Sequence, residues 1–234
     1  MRSGRHGKRS KDPFERSFAA VASEVSAGRM EEALRQLEQM EYAGLFPEER
    51  HWQFHELAGQ MLYWLADLDA ALPHLRRAWE PSRENHSARL AALSNYLMYL
   101  HYVDGVTDEN LCEAHAAYSA IIGDLPRFMH GKPQHDKLRI GYLSPNITDH
   151  IVLNFAIQLF SAYDRSRFEV YLYDIGALQS EVTEWVSGMA DGYADLSKCT
   201  PEVAAQRIYA NEIDILFDLA GHSAGGMTLQ IAAY

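Results

Sequence analysis

The 234-residue chain reads as an α + α/β protein in which helical repeats precede a lobe built on a parallel, Rossmann-like sheet. Three observations predict this. From Phe14 to Ile122 apolar residues recur at three- and four-residue spacings, the signature of amphipathic helices. From Leu138 onward, short β-branched and apolar runs alternate with helical stretches, the order that yields parallel strands joined by crossover helices. Between them lies Asp124–Asp136, with two prolines, one glycine and no periodicity, which reads as a linker. The expected organisation is a disordered leader over 1–13, helical repeats over 14–123, a linker over 124–137 and the α/β lobe over 138–234.

In the first part Phe14, Phe18, Val21, Ala22 and Val25 share a helical face, Gly28 breaks the run, and Met30–Met40 starts a second amphipathic segment. The pattern returns at Phe54–Trp64 and Ala66–Ala78. There Ala71, Leu72, Leu75 and Ala78 repeat Ala33, Leu34, Leu37 and Met40 at an offset of 38. That is near the roughly 34 residues of a tetratricopeptide repeat. Such a repeat keeps a small residue in its second helix so that two helices can approach closely. Ala66 stands at the place of the turn glycine, and the added residues fall in Gly44–Glu49. Pro73 is expected in the first turns of its helix, where a missing amide costs least. A third pair, Asn85–Val103 and Asp108–Ile122, carries Leu90, Leu93, Leu97 and Leu100 on one stripe. Repeats of this kind bury their apolar faces by stacking and leave a concave surface for peptides. Trp52, Phe54, Tyr63, Trp64 and Trp79 are read as core. His51, His55, His74, His86, His101 and His115 show no repeated ligand spacing and are read as surface or satisfied histidines.

Beyond the linker the strands are expected at Leu138–Leu143, Phe168–Asp174, Tyr193–Leu196 and Ile213–Leu219. Helices are expected near Ile151–Tyr163, Ser180–Ala190 and Pro201–Asn211, the last capped by Thr200 with Pro201 in its first turn.

Composition excludes several classes. A net charge of -11 argues against a nucleic-acid binder, since Arg2, Arg5, Lys8, Arg9 and Lys11 form the one basic run. No apolar core follows that run as in a secretory signal, and no stretch near 18 apolar residues exists, so a soluble, cytoplasmic protein without membrane contact is expected. Cys112 and Cys199 are too few for a disulfide framework or zinc site and are read as packing residues. A Gly-x-Gly-x-x-Gly fingerprint and a Gly-Lys-Ser/Thr phosphate loop are absent, as is an Asp-x-Asp pair at a strand end to bridge a diphosphate through a metal. Neither a cofactor nor a metal is therefore expected.

The chemistry falls at two strand ends. Ser144, Asn146, Asp149 and His150 follow the first strand, and Asp218, Gly221, His222 and Ser223, with Gly225 and Gly226, follow the last. Ligands of open parallel sheets sit beyond the carboxyl ends of strands. Glycines there let backbone approach a ligand, and amides ahead of a helix can hold an anionic phosphate. An imidazole at such a place can orient or deprotonate a hydroxyl, or donate to a leaving diphosphate.

Three ordered blocks carry a family resemblance: Leu138-Arg-Ile-Gly-Tyr-Leu-Ser-Pro-Asn with His150, then Arg165 to Tyr173, then Arg207 through Asp218-Leu-Ala-Gly-His222-Ser-Ala-Gly225. Over about residues 84–234 the chain resembles the O-linked N-acetylglucosaminyltransferases of glycosyltransferase family 41, particularly bacterial members with tetratricopeptide repeats. The resemblance implies the first half of a GT-B enzyme. Such an enzyme is an inverting transferase that moves a sugar, usually N-acetylglucosamine from its uridine diphosphate, onto serine or threonine of a protein held near the repeats. His150 matches the family's active-site histidine, for which a general-base role has been proposed. Gly221 and His222 match a step lining the cleft, and Asp218 its acidic start. The loop ahead of His150 lacks the common Asp-Phe pair, and Gly226-Met227-Thr228 replaces the Asn-Arg-Leu frequent in the family. Tyr234 falls about where members continue into a second lobe that supplies most donor contacts. On this reading the chain is a fragment, inactive alone. Two other readings are a non-catalytic repeat module that binds proteins, and a glucosyl- or fucosyltransferase of the same fold.

Overall fold

A computed structural model describes residues 12–79, 86–131, 135–223 and 227–234. The chain divides into two compact units, Met1–Ile121 and Ile122–Tyr234.

The first unit is helical: α1 Pro13–Ser26, α2 Met30–Tyr42, α3 His51–Trp64, α4 Leu68–Trp79, α5 His86–Leu100 and α6 Asp108–Ile122. Most of the expected leader lies outside the described residues, but its last two positions are structural. The Asp12 side chain accepts the Phe14 amide at 3.0 Å and Pro13 opens α1, a cap followed by the residue that tolerates a missing amide. Gly28, between α1 and α2, has φ 74° and Ala66, between α3 and α4, has φ 61°, so both hairpins turn through a left-handed residue. The aligned Ala33 and Ala71 are both buried, as are Leu37 and Leu75. Close approach of α3 and α4 also depends on Gly59, where an added Cβ would lie 2.5 Å from Leu75 Cγ. The Leu90, Leu93, Leu97 and Leu100 stripe is buried as expected.

Three expectations are corrected. Pro73 lies inside α4, not at its start, because the helix begins at Leu68; the Asp69 carbonyl there cannot receive the usual bond from four residues on. Trp64 is 69% exposed, since it closes α3 on the side away from the apolar stripe, whereas Phe54 is core. Cys112 is exposed, and only Cys199 packs against a core.

The second unit carries β1 Leu138–Ser144, α7 Ile151–Ser161, β2 Phe168–Asp174, α8 Glu181–Ser187, β3 Gly192–Asp195, α9 Pro201–Ala210, β4 Ile215–Asp218 and α10 Thr228–Ala232. The four strands are parallel in the order β3-β2-β1-β4. Period-2 alternation sends neighbours to opposite faces. Tyr142, Val170 and Leu172 meet Leu153, Ala156 and Phe160 of α7 and Val186 of α8 on one face. On the other, Leu143 and Tyr173 meet Ala204, Ala205 and Ile208 of α9 and Ile231 of α10. The sheet is thus covered on both sides, as parallel sheets must be. Its edge strand β4 keeps Ile215, Leu216 and Phe217 exposed. Part of the predicted linker is packed onto this unit: the Phe128 ring stacks on Tyr209 at 4.6 Å, the Phe128 amide donates to the Tyr234 carbonyl, and the Tyr209 hydroxyl donates to the Met129 carbonyl.

Candidate functional site

Strand order locates the site. The chain leaves β1 for β2 and β3 on one side, then returns to place β4 on the other side of β1. The loops after β1 and β4 therefore diverge at the point where the winding reverses, the place where open α/β sheets form a ligand crevice. Both histidine loops follow these two neighbouring strands, whose register pairs Leu143 with Asp218.

The first loop is tightly built. Ser144 is buried; its hydroxyl accepts the Asn146 amide at 3.0 Å and its carbonyl accepts the Ile175 amide. Ile147 is 1% exposed and anchors the loop to the core, while Thr148 and Ser180 share a hydroxyl hydrogen bond of 2.9 Å. Ser180 in turn caps α8 through a capping box with Thr183. Gly176, after β2, lies against this loop so closely that a Cβ would sit 2.1 Å from the Pro145 carbonyl oxygen. Asp149 and His150 are exposed at the tip.

His150 is the N-cap of α7, and its Nδ1 accepts the Val152 amide at 3.2 Å. Since Nδ1 accepts, the ring proton sits on Nε2. In this pose the imidazole presents a donor outward and has no second lone pair with which to take a proton. It suits a phosphate or sugar oxygen, and action as a base needs the cap to open.

The second loop is a turn that Asp218 shapes. Its Oδ1 accepts the amides of Ala220 at 2.7 Å and Gly221 at 2.9 Å, so the carboxylate is engaged by its own loop. Gly221 has φ 54°, a conformation that disfavours any residue with a Cβ. The Ser223 hydroxyl donates to the Ala220 carbonyl, and His222 is half-buried between them. Gly225 and Gly226 lie outside the described residues.

The register also brings two residues to this edge that sequence reasoning missed. Asp174 ends β2 opposite Ser144, and Asp195 ends β3 opposite Asp174. Asp174 is 1% exposed and accepts from the Gly176 amide, Gln179 and the Tyr193 hydroxyl. Burial raises its pKa, against the pull of those bonds. Burial likewise pushes Tyr193 up to about 12, which keeps its hydroxyl a donor. The signal that could have found the pair is positional: each closes a strand pattern. Among the described residues no group of three or more His, Cys, Asp or Glu side chains is placed to hold a metal.

Comparison with known proteins bears on the fold and the family. An alignment 136 positions long, covering 53% of this chain and 14% of the other, shows 28% identity to an Arabidopsis thaliana protein described as a probable UDP-N-acetylglucosamine--peptide N-acetylglucosaminyltransferase, SEC. A solved structure of a mutant O-GlcNAc transferase from Thermobaculum terrenum superposes with a TM-score of 0.69 over 88% of this chain at 22% identity, and so shares its fold. The chain spans 39% of that structure's length, so both relatives are far longer than the part matched. The profile of glycosyl transferase family 41 matches residues 107–232, more than half of the sequence, and the chain belongs to that family.

Proposed function

We propose that these residues form the repeat region and first catalytic lobe of a protein O-glycosyltransferase that moves N-acetylglucosamine from its uridine diphosphate to serine or threonine. The observation that carries this reading is the pair of histidine loops at the switch point between β1 and β4. In the reaction the acceptor hydroxyl attacks the anomeric carbon, the bond to the diphosphate breaks, configuration inverts, and the hydroxyl proton passes to the departing diphosphate. His150 Nε2–H steadies an oxygen of the donor or acceptor, and His222 lines the same crevice from β4. Asp218 and Gly221 hold the second loop in shape, and Ser144 and Asn146 the first. The helical unit presents the acceptor protein. Transfer also needs a preorganised site for the diphosphate.

The test offers the full-length gene product a panel of UDP-N-acetylglucosamine, UDP-glucose and GDP-fucose with serine- and threonine-bearing peptides, read by mass. Transfer of N-acetylglucosamine alone supports the reading, whereas a hexose or deoxyhexose adduct moves the donor to a sister activity. One observation favours a non-catalytic scaffold instead: His150 and Asp218 both spend hydrogen-bonding capacity on their own loops. That reading predicts peptide binding with no sugar transfer from any donor.

A further inference from the structure

The segment between β2 and α8 grips the His150 loop at two points. One is a packing contact: Gly176 lies against the Pro145 carbonyl, and Asp174 fixes Gly176 by accepting its amide at 2.9 Å. The other is a hydrogen bond, with Thr148 Oγ1 and Ser180 Oγ 2.9 Å apart. Ser180 Oγ also accepts the Thr183 amide at 3.3 Å and lies 3.3 Å from Thr183 Oγ1, which in turn accepts the Ser180 amide at 3.2 Å. With Thr148 as donor, Ser180 Oγ accepts twice and donates once to Thr183, so its proton and both lone pairs are used. Thr183 is 2% exposed, which roots this end of the bond in the core under α8.

Thr148 follows the buried Ile147 and stands two residues ahead of His150, where the loop has come out into solvent. The His150 cap needs an extended backbone, φ -143° and ψ 150°, so that Nδ1 can accept the Val152 amide. On the C-terminal side α7 holds that geometry, since the His150 carbonyl accepts the Leu153 amide. On the N-terminal side the bond from Thr148 to Ser180 holds it. We propose that Thr148 is a positioning residue for His150, and that its hydroxyl bond to Ser180 fixes the direction in which Nε2 is presented. The consequence for catalysis rests on the glycosyl-transfer reading above. A polar group misplaced by about 1 Å can cost about a hundredfold in rate. Loss of one half-buried hydroxyl bond loosens the loop without removing Ile147 or the cap, so about a tenfold loss is expected.

Thr148→Val exchanges the hydroxyl for a methyl of similar size and leaves the capping box of Ser180 and Thr183 in place, whereas Ser180→Ala would also uncap α8. Thr148→Ser keeps the hydroxyl. N-acetylglucosamine transfer is measured in the full-length gene product for both variants, for His150→Asn, and for Thr148→Val combined with His150→Asn. Folding is checked by far-ultraviolet circular dichroism, and Thr148→Ala replaces Thr148→Val if the latter fails to fold. The expected result is kcat about tenfold lower in Thr148→Val, with KM for donor and peptide within about twofold, and Thr148→Ser close to wild type. Adding Thr148→Val to His150→Asn should cost nothing further, because the first acts through the second. Wild-type kcat in Thr148→Val, no rescue by serine, or an equal further loss in the His150→Asn background overturns the proposal. Exchange of the Val152 amide, followed in the same proteins, reads the position of His150 without any reaction: it should be severalfold faster in Thr148→Val and restored in Thr148→Ser. If the wild type transfers no sugar, the glycosyl-transfer reading fails on its own, and unchanged exchange in Thr148→Val overturns the positioning role.

Discussion

His150 joins structure to chemistry in one side chain. Its Nδ1 caps α7 and its Nε2 faces outward, so substitutions separate the two tasks. His150→Ala removes the cap and should cost about 1 kcal/mol in urea unfolding. His150→Asn restores a capping oxygen and should stay within a few tenths of wild type; equal losses in both variants would show that the cap contributes nothing. Asp174 supplies a pH test. Burial holds its pKa above the unfolded value of 3.8, so the folded chain keeps this proton to higher pH than the unfolded one. Its stabilising contribution is complete below that value and lost as pH rises through the folded value. Asp174→Asn cannot ionise, so its unfolding midpoint should exceed that of wild type at neutral pH, with the difference closing toward about pH 3. A lower midpoint at every pH would mean that the bonds from Gly176, Gln179 and Tyr193 need a carboxylate. Ser144, Asn146, His150, Asp218, Gly221, His222 and Ser223 could be nominated from sequence because they follow strand patterns. Asp174 and Asp195 also close strand patterns, but the row Ser144, Asp174, Asp195 exists only once parallel register is set. The facing of His55 and His74 likewise depends on how two helices pack, which local spacing does not encode.

At the scale of elements, the two hairpin turns give a direct experiment. Gly28 and Ala66 occupy equivalent left-handed positions, but only the glycine is free of Cβ strain there. Ala66→Gly should stabilise the helical unit by about 1 kcal/mol despite the added freedom of the unfolded chain. A fall in the thermal midpoint would contradict that. Gly176 is the opposite case: a Cβ would overlap the Pro145 carbonyl oxygen, and backbone cannot swing aside as a side chain can. Gly176→Ala should cost about 1–3 kcal/mol and loosen the loop that carries His150, seen as faster amide exchange at Ile147 and Thr148. Unchanged exchange would separate that loop from Gly176. Helix and strand positions were legible because periods of 3.6 and 2 are strong signals over ten or so residues. What escaped was short or contradicted by packing. The five-residue α10 gives no periodicity to read, and Pro73 sits inside α4 where propensity argues for an end. Phe128 and Met129, in a stretch that looks like linker, are held by Tyr209 and Tyr234 from far along the chain.

For the whole molecule, alternation of strands and helices foretold a parallel sheet but not the order β3-β2-β1-β4, because nothing local says on which side of β1 the fourth strand returns. That order sets the two histidine loops side by side, and helices cover both faces of the sheet. Among the described residues no helix is long and apolar enough to cross a membrane. The central claim, that this crevice performs glycosyl transfer, is tested most directly by measuring N-acetylglucosamine transfer to protein serine and threonine in the full-length gene product, as wild type and as His150→Asn. The account predicts transfer by the wild type and a folded variant with at least a hundredfold loss. Wild-type turnover in the variant would contradict it.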